Sequence, residues 1–244
     1  MAKQVAENGG SRPWWKLAAL WGVALVAALG LVTSAQAQAG APPAGDPHQH
    51  SGFHHSFGQA DMWAKEFDDP SRDAWQKPEQ VLDALSLDPS ATVADIGAGT
   101  GYFSVRIANR IPLGKVFAVD IEQDMLRYLG ERARREHLDT IKPIMGSGES
   151  ANIPEPVDVI LIVDTYHHID DRIAYFARLK KSLRPHGRLA VVDFKADSPE
   201  GPPIASRISA EKVTEELKAA GYSLVAAHSF LPRQYFLVFT PANS

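Results

Sequence analysis

The stretch Thr92-Val93-Ala94-Asp95-Ile96-Gly97-Ala98-Gly99-Thr100-Gly101-Tyr102-Phe103 constrains this chain more than any other. A short β-type run carries an acid near its end and is followed by three glycines at alternate positions. An apolar-periodic segment (Phe103, Val105, Ile107, Ala108) then begins. This reads as a strand, a tight turn and the start of a helix. Glycine is required where backbone must turn sharply and a ligand must approach without a Cβ in the way. A second acid, Asp120, closes the next apolar run, Lys115-Val116-Phe117-Ala118-Val119. It falls about 20 residues on, where a carboxylate takes ribose hydroxyls.

Glycine spacing separates two cofactor classes. A dinucleotide fingerprint places its third glycine three positions after the second, to seat a pyrophosphate on the helix N-terminus. Here the third glycine comes two positions later, and Asp95 stands two before the first. A carboxylate there repels a pyrophosphate and suits a ligand carrying an ammonium group. The Asp-x-Gly-x-Gly-x-Gly pattern with a following strand-end acid resembles the nucleotide-binding motif of class I S-adenosylmethionine-dependent methyltransferases.

Regular alternation follows. Strands are predicted at Thr92–Ile96, Lys115–Asp120, Ile141–Met145, Val157–Val163 and Arg188–Phe194. Helices are predicted at Thr100–Arg110, Gln123–Glu136, Asp171–Leu183 and Ala210–Ala220. Strand and helix in turn make an α/β protein with helices on both faces of a mostly parallel sheet. Tyr222–Phe230 and Gln234–Thr240 are two further β-rich runs, and only Leu231-Pro232-Arg233 joins them. So short a link holds no crossover helix, so the pair is antiparallel. A Rossmann-like, seven-stranded sheet ending in an antiparallel hairpin again resembles the class I methyltransferases, over roughly residues 78–240. No internal repeat or second domain is seen.

That resemblance implies S-adenosyl-L-methionine as cofactor and assigns roles by position. Gly97, Gly99 and Gly101 turn around its amino-acid end, with Asp95 near the ammonium group. Asp120 takes the ribose hydroxyls, and Ile121 packs on the adenine. The family often has a Gly-Asp pair after the third strand, whereas this chain has Met145-Gly146-Ser147-Gly148-Glu149. Ser147 thus stands where an acid is expected, and either Glu149 or groups around Ser147 replace that carboxylate. After the fourth strand comes Asp164-Thr165-Tyr166-His167-His168. Asp164 is expected to line the methionine end. Tyr166, His167 or His168 faces the substrate and takes a proton; the competing expectation is that one histidine caps the following helix.

Met62–Pro78 is dense in Trp63, Phe67, Asp68, Asp69, Arg72, Asp73, Trp75 and Lys77. Pro70 and Pro78 suit the first turns of short helices, the second running to about Leu85. By resemblance, residues 61–90 form a helical cover over the cofactor site, with Trp63, Phe67, Trp75 and Lys77 as wall candidates. The alternative is that these aromatics only pack the cover onto the sheet. The domain proper is expected at 91–244.

At the N-terminus, Lys3, Arg12 and Lys16 precede an uncharged 16-residue run from Leu17 to Val32, then Ala35-Gln36-Ala37 and Ala37-Gln38-Ala39. This reads as a signal peptide, residues 1–39, cut after Ala37 or Ala39, with an uncleaved anchor as the alternative. Cleavage removes three bases and one acid and takes the net charge from −4 to −6. The globular part is expected outside the cytoplasm, in the periplasm or facing it. Residues 40–60 read as a linker and His-rich arm; His48, His50, His54 and His55 lack zinc-type spacing, so no metal site is expected. There is no cysteine, which excludes disulfides, thiolate metal sites and a cysteine nucleophile. A net charge of −4 argues against a nucleic-acid partner. The expected partner is a small molecule, with the aromatic cover hinting at a hydrophobic or aromatic one. The competing function is an exported ligand-binding protein on the same fold without catalysis.

Overall fold

The computed structural model describes residues 59–242. The expected signal peptide and the His-rich run at 48–55 lie outside them. Three strands at the centre follow from three continuous apolar runs. Strands β1 (Thr92–Ile96), β2 (Lys115–Asp120) and β4 (Val157–Val163) are buried on both faces, as parallel strands between helix layers must be. With β3 (Ile141–Met145), β5 (Leu183–Phe194), β6 (Tyr222–His228) and β7 (Gln234–Pro241) they form one seven-stranded sheet in the order β3-β2-β1-β4-β5-β7-β6. The first five strands are mutually parallel, and β7 runs antiparallel to both β5 and β6. The expected terminal hairpin is therefore present. The last strand of the chain inserts inside the sheet and leaves β6 at the edge.

Helices α1 (Ala60–Phe67), α2 (Asp73–Gln76) and α3 (Pro78–Leu85) precede the sheet, and α4 (Tyr102–Arg110), α5 (Gln123–Arg135), α6 (Arg172–Leu179) and α7 (Ala210–Ala219) connect its strands. On one face Val81, Leu82 and Leu85 of α3 and Phe103 and Ile107 of α4 pack on Val93 and Leu161. On the other, Phe176 and Leu179 of α6 and Val213 and Leu217 of α7 pack on Ile160, Val191 and Leu237. Alternate residues of one strand thus serve opposite cores.

Two boundaries depart from expectation. The helix predicted over Asp171–Leu183 ends at Leu179 and passes through one 3-10 turn. Strand β5 begins at Leu183, five residues earlier than predicted, because Leu183 pairs with Val157 before a register shift brings Arg188 opposite Val159. Residues 183–187 contain Pro185, which argues for a turn locally, and His186 takes a left-handed φ of 67° there. Cross-strand pairing overrides the local signal. Helix α1 went unpredicted as a helix. Trp63 and Phe67, four apart, stack at 5.5 Å on one side of it. The turn at Pro70 is capped as its sequence suggests, with Ser71 N–H donating to Asp69 Oδ1 at 2.8 Å.

The C-terminal ends of β1, β2, β4 and β5 and the start of β7 lie along one edge of the sheet. Strand order reverses between β1 and β4. In open α/β sheets such a reversal opens a crevice between the two connections leaving opposite faces.

Candidate active site

The turn after β1 is held from both sides. The N–H groups of Gly97 and Ala98 both donate to Val119 O of β2, at 2.8 and 3.0 Å. Gly97, Gly99 and Gly101 all have left-handed φ values (76°, 54° and 95°). A Cβ on Gly97 would lie 2.0 Å from Thr165 Oγ1, so this glycine lets the β4 connection close against the turn. Gly99 differs, since a Cβ there would meet only the Phe67 ring, 3.5 Å away on the cover. Only the second glycine faces the space between turn and cover.

The two acids of the motif have different positions. Asp120 is half-exposed at the end of β2 and bridges two backbone donors, Gly99 N–H at 2.8 Å and Glu122 N–H at 2.9 Å. Asp95 is 3% exposed and accepts from Ser104 Oγ of α4 at 2.6 Å. Burial raises its pKa to about 6, the Ser104 hydroxyl opposes that rise, and the Asp120 charge adds to it. Asp95 therefore ties the turn to α4 and does not present an open carboxylate toward a ligand's ammonium group. That expectation is corrected by its burial.

The cover is fastened by charge. Arg132 of α5 donates to Asp68 Oδ1 (2.8 Å) and to Thr100 O of the glycine turn (3.1 Å). Arg72 lies over the Tyr102 ring, its carbon 4.2 Å from the centroid, and donates to Phe67 O and to Gln76 Oε1. Gln76 in turn donates to Asp164 Oδ2 at 2.8 Å, Gln234 of β7 donates to Asp164 Oδ1, and Arg72 stands 3.6 Å from Oδ2. Burial and the nearby Asp193 raise the Asp164 pKa to about 6 against the pull of Arg72 and Gln76. Of the wall candidates, Phe67 meets Gly99, Trp63 backs Phe67, and Trp75 lies against Phe194 (5.8 Å between centroids) and Arg233. Lys77 points elsewhere, donating to Phe230 O at 3.0 Å. Arg72, Gln76, Gln234 and Asp193 were not singled out from sequence. No spacing links them; only the density of charges among aromatics at 67–76 hinted at the first two.

At the end of β4 the three aromatic candidates separate. Tyr166 is fully buried, stacks on Phe176 at 5.1 Å and donates its hydroxyl to Glu216 Oε2 at 2.8 Å. Arg172 also holds Glu216, at 2.7 Å. Tyr166 is thus a core residue, and the expectation that it faces a substrate is corrected. His167 places Nδ1 2.9 and 3.0 Å from the two carboxylate oxygens of Asp193. The His168 ring lies beside it, 4.2 Å between centroids. Helix α6 has Asp171 at its N-cap.

On the far side of the turn, Ile121 is 62% exposed beside Asp120. Ser147 spends its hydroxyl locally, accepting from the N–H groups of Ser150 (3.1 Å) and Glu149 (3.3 Å). It shapes a tight turn where an acid was expected. Two side-chain oxygens near the crevice are buried with no partner: Thr100 Oγ1 in the glycine turn and Gln234 Oε1 beside Asp164. Unsatisfied buried acceptors are costly unless a ligand or water serves them. These oxygens, the bare face of Gly99, the half-exposed Asp120 and the exposed Ile121 fit a ligand with a polar chain, a ribose and a flat ring. Among the described residues no group of histidines and carboxylates could hold a metal, and no helix is long and apolar enough to cross a membrane.

The chain is similar to known methyltransferases in sequence and in fold. Residues 93–187 match the methyltransferase domain family. The chain is 29% identical over 159 residues to trans-aconitate 2-methyltransferase of Azoarcus sp. strain BH72, covering 61% of each protein. It is 33% identical over 107 residues to malonyl-[acyl-carrier protein] O-methyltransferase of Methylococcus capsulatus, covering 43% of this chain and 38% of that one. The chain thus spans 38% to 61% of the length of these curated relatives. The crystal structure of a SAM-dependent methyltransferase from Aquifex aeolicus superposes with a TM-score of 0.68 at 27% identity, over 73% of this chain and 96% of that one. The fold is Rossmann-like, as in that methyltransferase structure.

The geometry of this site gives two predictions. Because the folded-state pKa of Asp95 is raised, the native state retains a proton that the unfolded chain releases above about pH 4. Its contribution to stability is full below that pH and is lost as pH rises through about 6. Asp95→Asn should remove that loss, so the melting temperature of the variant gains on wild type between pH 4.5 and pH 7 by a difference worth roughly 1–3 kcal/mol. Tyr166→Phe should lower unfolding stability in urea by about 1 kcal/mol and leave S-adenosylmethionine affinity unchanged; a lost affinity would return Tyr166 to the site.

Proposed function

We propose that this protein is an S-adenosylmethionine-dependent methyltransferase acting on a small molecule bound at the end of β4. The observation that carries this reading is the pairing of the Gly97–Gly101 turn with the Asp164–His168 segment across the strand-order reversal. In this reading the turn and Thr100 hold the amino-acid end of the cofactor, with Asp164 beside it. Asp120 takes the ribose hydroxyls, Ile121 packs on the adenine, and the Ser147 turn borders it. The cofactor supplies an electrophilic methyl on a sulfonium. The protein's part is to orient an acceptor in line and exclude water. The cover serves that exclusion, with Phe67 over Gly99 and Trp75 against Phe194 at the mouth. His167 and His168, at the end of β4, border the acceptor in this reading. Of the relatives named above, the trans-aconitate 2-methyltransferase supports a small acceptor, and the other, an O-methyltransferase by name, supports an oxygen-bearing one.

Calorimetry on the full chain tests the reading. S-adenosylmethionine and S-adenosylhomocysteine should both bind, and Asp120→Ala should weaken them by at least about tenfold, or 1.4 kcal/mol. Absence of heat at millimolar ligand would leave a binding protein for some other ligand as the better account. We further propose that the enzyme acts outside the cytoplasm, on the strength of the basic start, apolar run and small residues of 1–39. Mass spectrometry of the exported protein should then find an N-terminus at Gln38 or Gly40; an intact Met1 on a protein facing the cytoplasm would sink this.

A further inference from the structure

In the methyltransferase reading the cofactor's amino-acid end brings an ammonium group, and the Asp95 carboxylate, enclosed with Ser104, is not open to it. Four buried side-chain oxygens among the described residues have no hydrogen-bond partner: Glu66 Oε1, Thr100 Oγ1, Ser198 Oγ and Gln234 Oε1. Gln234 is the one whose other polar end is tied to a carboxylate of the crevice. It is 0% exposed, stands at the start of β7 opposite Phe194 of β5, and donates through Nε2 to Asp164 Oδ1. Turning the amide over would set oxygen against oxygen, so Oε1 is the end left without a partner.

A purely structural role uses only half of this side chain. Clipping β7 to the end of β4 requires the amide nitrogen alone, and β7 is already paired with both β5 and β6. An enclosed amide oxygen without a donor is unfavourable, and a ligand donor in the crevice would satisfy it. Asp164 indicates the kind of donor. Its oxygens accept from two neutral amides, Gln76 at 2.8 Å on Oδ2 and Gln234 on Oδ1. Arg72 lies 3.6 Å from Oδ2 and directs its own hydrogen bonds to Gln76 Oε1 and Phe67 O. Amide N–H groups leave the carboxylate charge in place, and each carboxylate oxygen can accept from a second donor. An unpartnered acceptor fixed against such a carboxylate suits a cation with several N–H donors.

We propose that Gln234 is a cofactor-binding residue, whose Oε1 receives the ammonium group of S-adenosylmethionine together with the Asp164 carboxylate. This rests on the methyltransferase reading and adds β7 to the elements that recognise the cofactor. The two acceptors form one unit before any ligand arrives, because Gln234 Nε2 already holds the carboxylate that shares the cation. Specificity for the amino group follows. A site built around such an acceptor rejects a ligand that lacks the donor, since the buried oxygen is then left unpaired. An adenosine thioether without the ammonium group is therefore bound poorly, even where its ribose and ring fit.

Titration calorimetry on the full chain compares S-adenosylhomocysteine with its deaminated analogue, in which hydrogen replaces the amino group and the carboxylate is kept. The wild type should bind S-adenosylhomocysteine at least about tenfold more tightly than the analogue. Gln234→Leu should cut that preference at least about fivefold and leave the analogue's affinity within about twofold of wild type. Gln234→Glu, which keeps an acceptor oxygen, should preserve the preference. A wild type that binds both ligands equally would overturn the proposal and leave the methyltransferase reading standing. So would a Gln234→Leu protein that keeps the full preference. If Gln234→Leu does not fold, a crystal structure of the wild type with S-adenosylhomocysteine decides: an ammonium nitrogen within hydrogen-bond distance of Gln234 Oε1 supports the seat, and one out of its reach overturns it. A wild type that binds neither ligand would sink the methyltransferase reading, and this seat with it.

Discussion

The open edge of this sheet is organised by one half-buried carboxylate. Asp164 sits at the end of β4 in a left-handed conformation, with one glutamine amide on each oxygen and a guanidinium close by. A charge partly withdrawn from water in this way is favoured by partners that satisfy it. The match comes from distant parts of the chain: Arg72 and Gln76 from the cover, Gln234 from the last strand. Each therefore has a fixed position relative to the crevice, and so do Phe67 and Trp75, which ride on the same segment.

The acids near the crevice illustrate how environment separates identical side chains. Asp95 is buried and Asp164 half-buried, and both have raised pKa values, yet one is spent on a single serine hydroxyl inside the fold and the other gathers the cover. Asp120, at the mouth, is satisfied by backbone N–H groups and keeps a face to solvent. Asp193 is committed to an imidazole. Composition and spacing treat the four alike; the different burial and partners of each assign them different work.

Much of the architecture was legible because it follows from periodicity. The runs forming β1, β2, β3 and β4 coincide with their predicted limits, and the three-residue link at 231–233 announced an antiparallel pair. Glycine spacing was enough to choose the cofactor class. What stayed hidden was long-range. Nothing local makes residues 183–187 a strand; pairing with β4 does. Tyr166 looked available because it stands next to two histidines, but a 3-10 turn sends its ring inward to Phe176 and Glu216 while His167 turns to Asp193. Gly97 was read as leaving room for a ligand, whereas the room is filled by Thr165. Contacts between residues dozens of positions apart carry no signature in a single sequence.

The insertion of β7 between β5 and β6 has a bearing on when the crevice can exist during synthesis. Gln76 and Gln234 reach Asp164 from 88 residues before it and 70 residues after it. The strand bearing Gln234 is made after the other six strands of this sheet, so until it slides into place Asp164 lacks one of its partners and the sheet lacks its penultimate member. Closing such distant pairings is slow and entropically costly compared with local ones. The crevice is consequently the final piece of the domain to be assembled, completed only when both extremities of the fold have met at a single side chain.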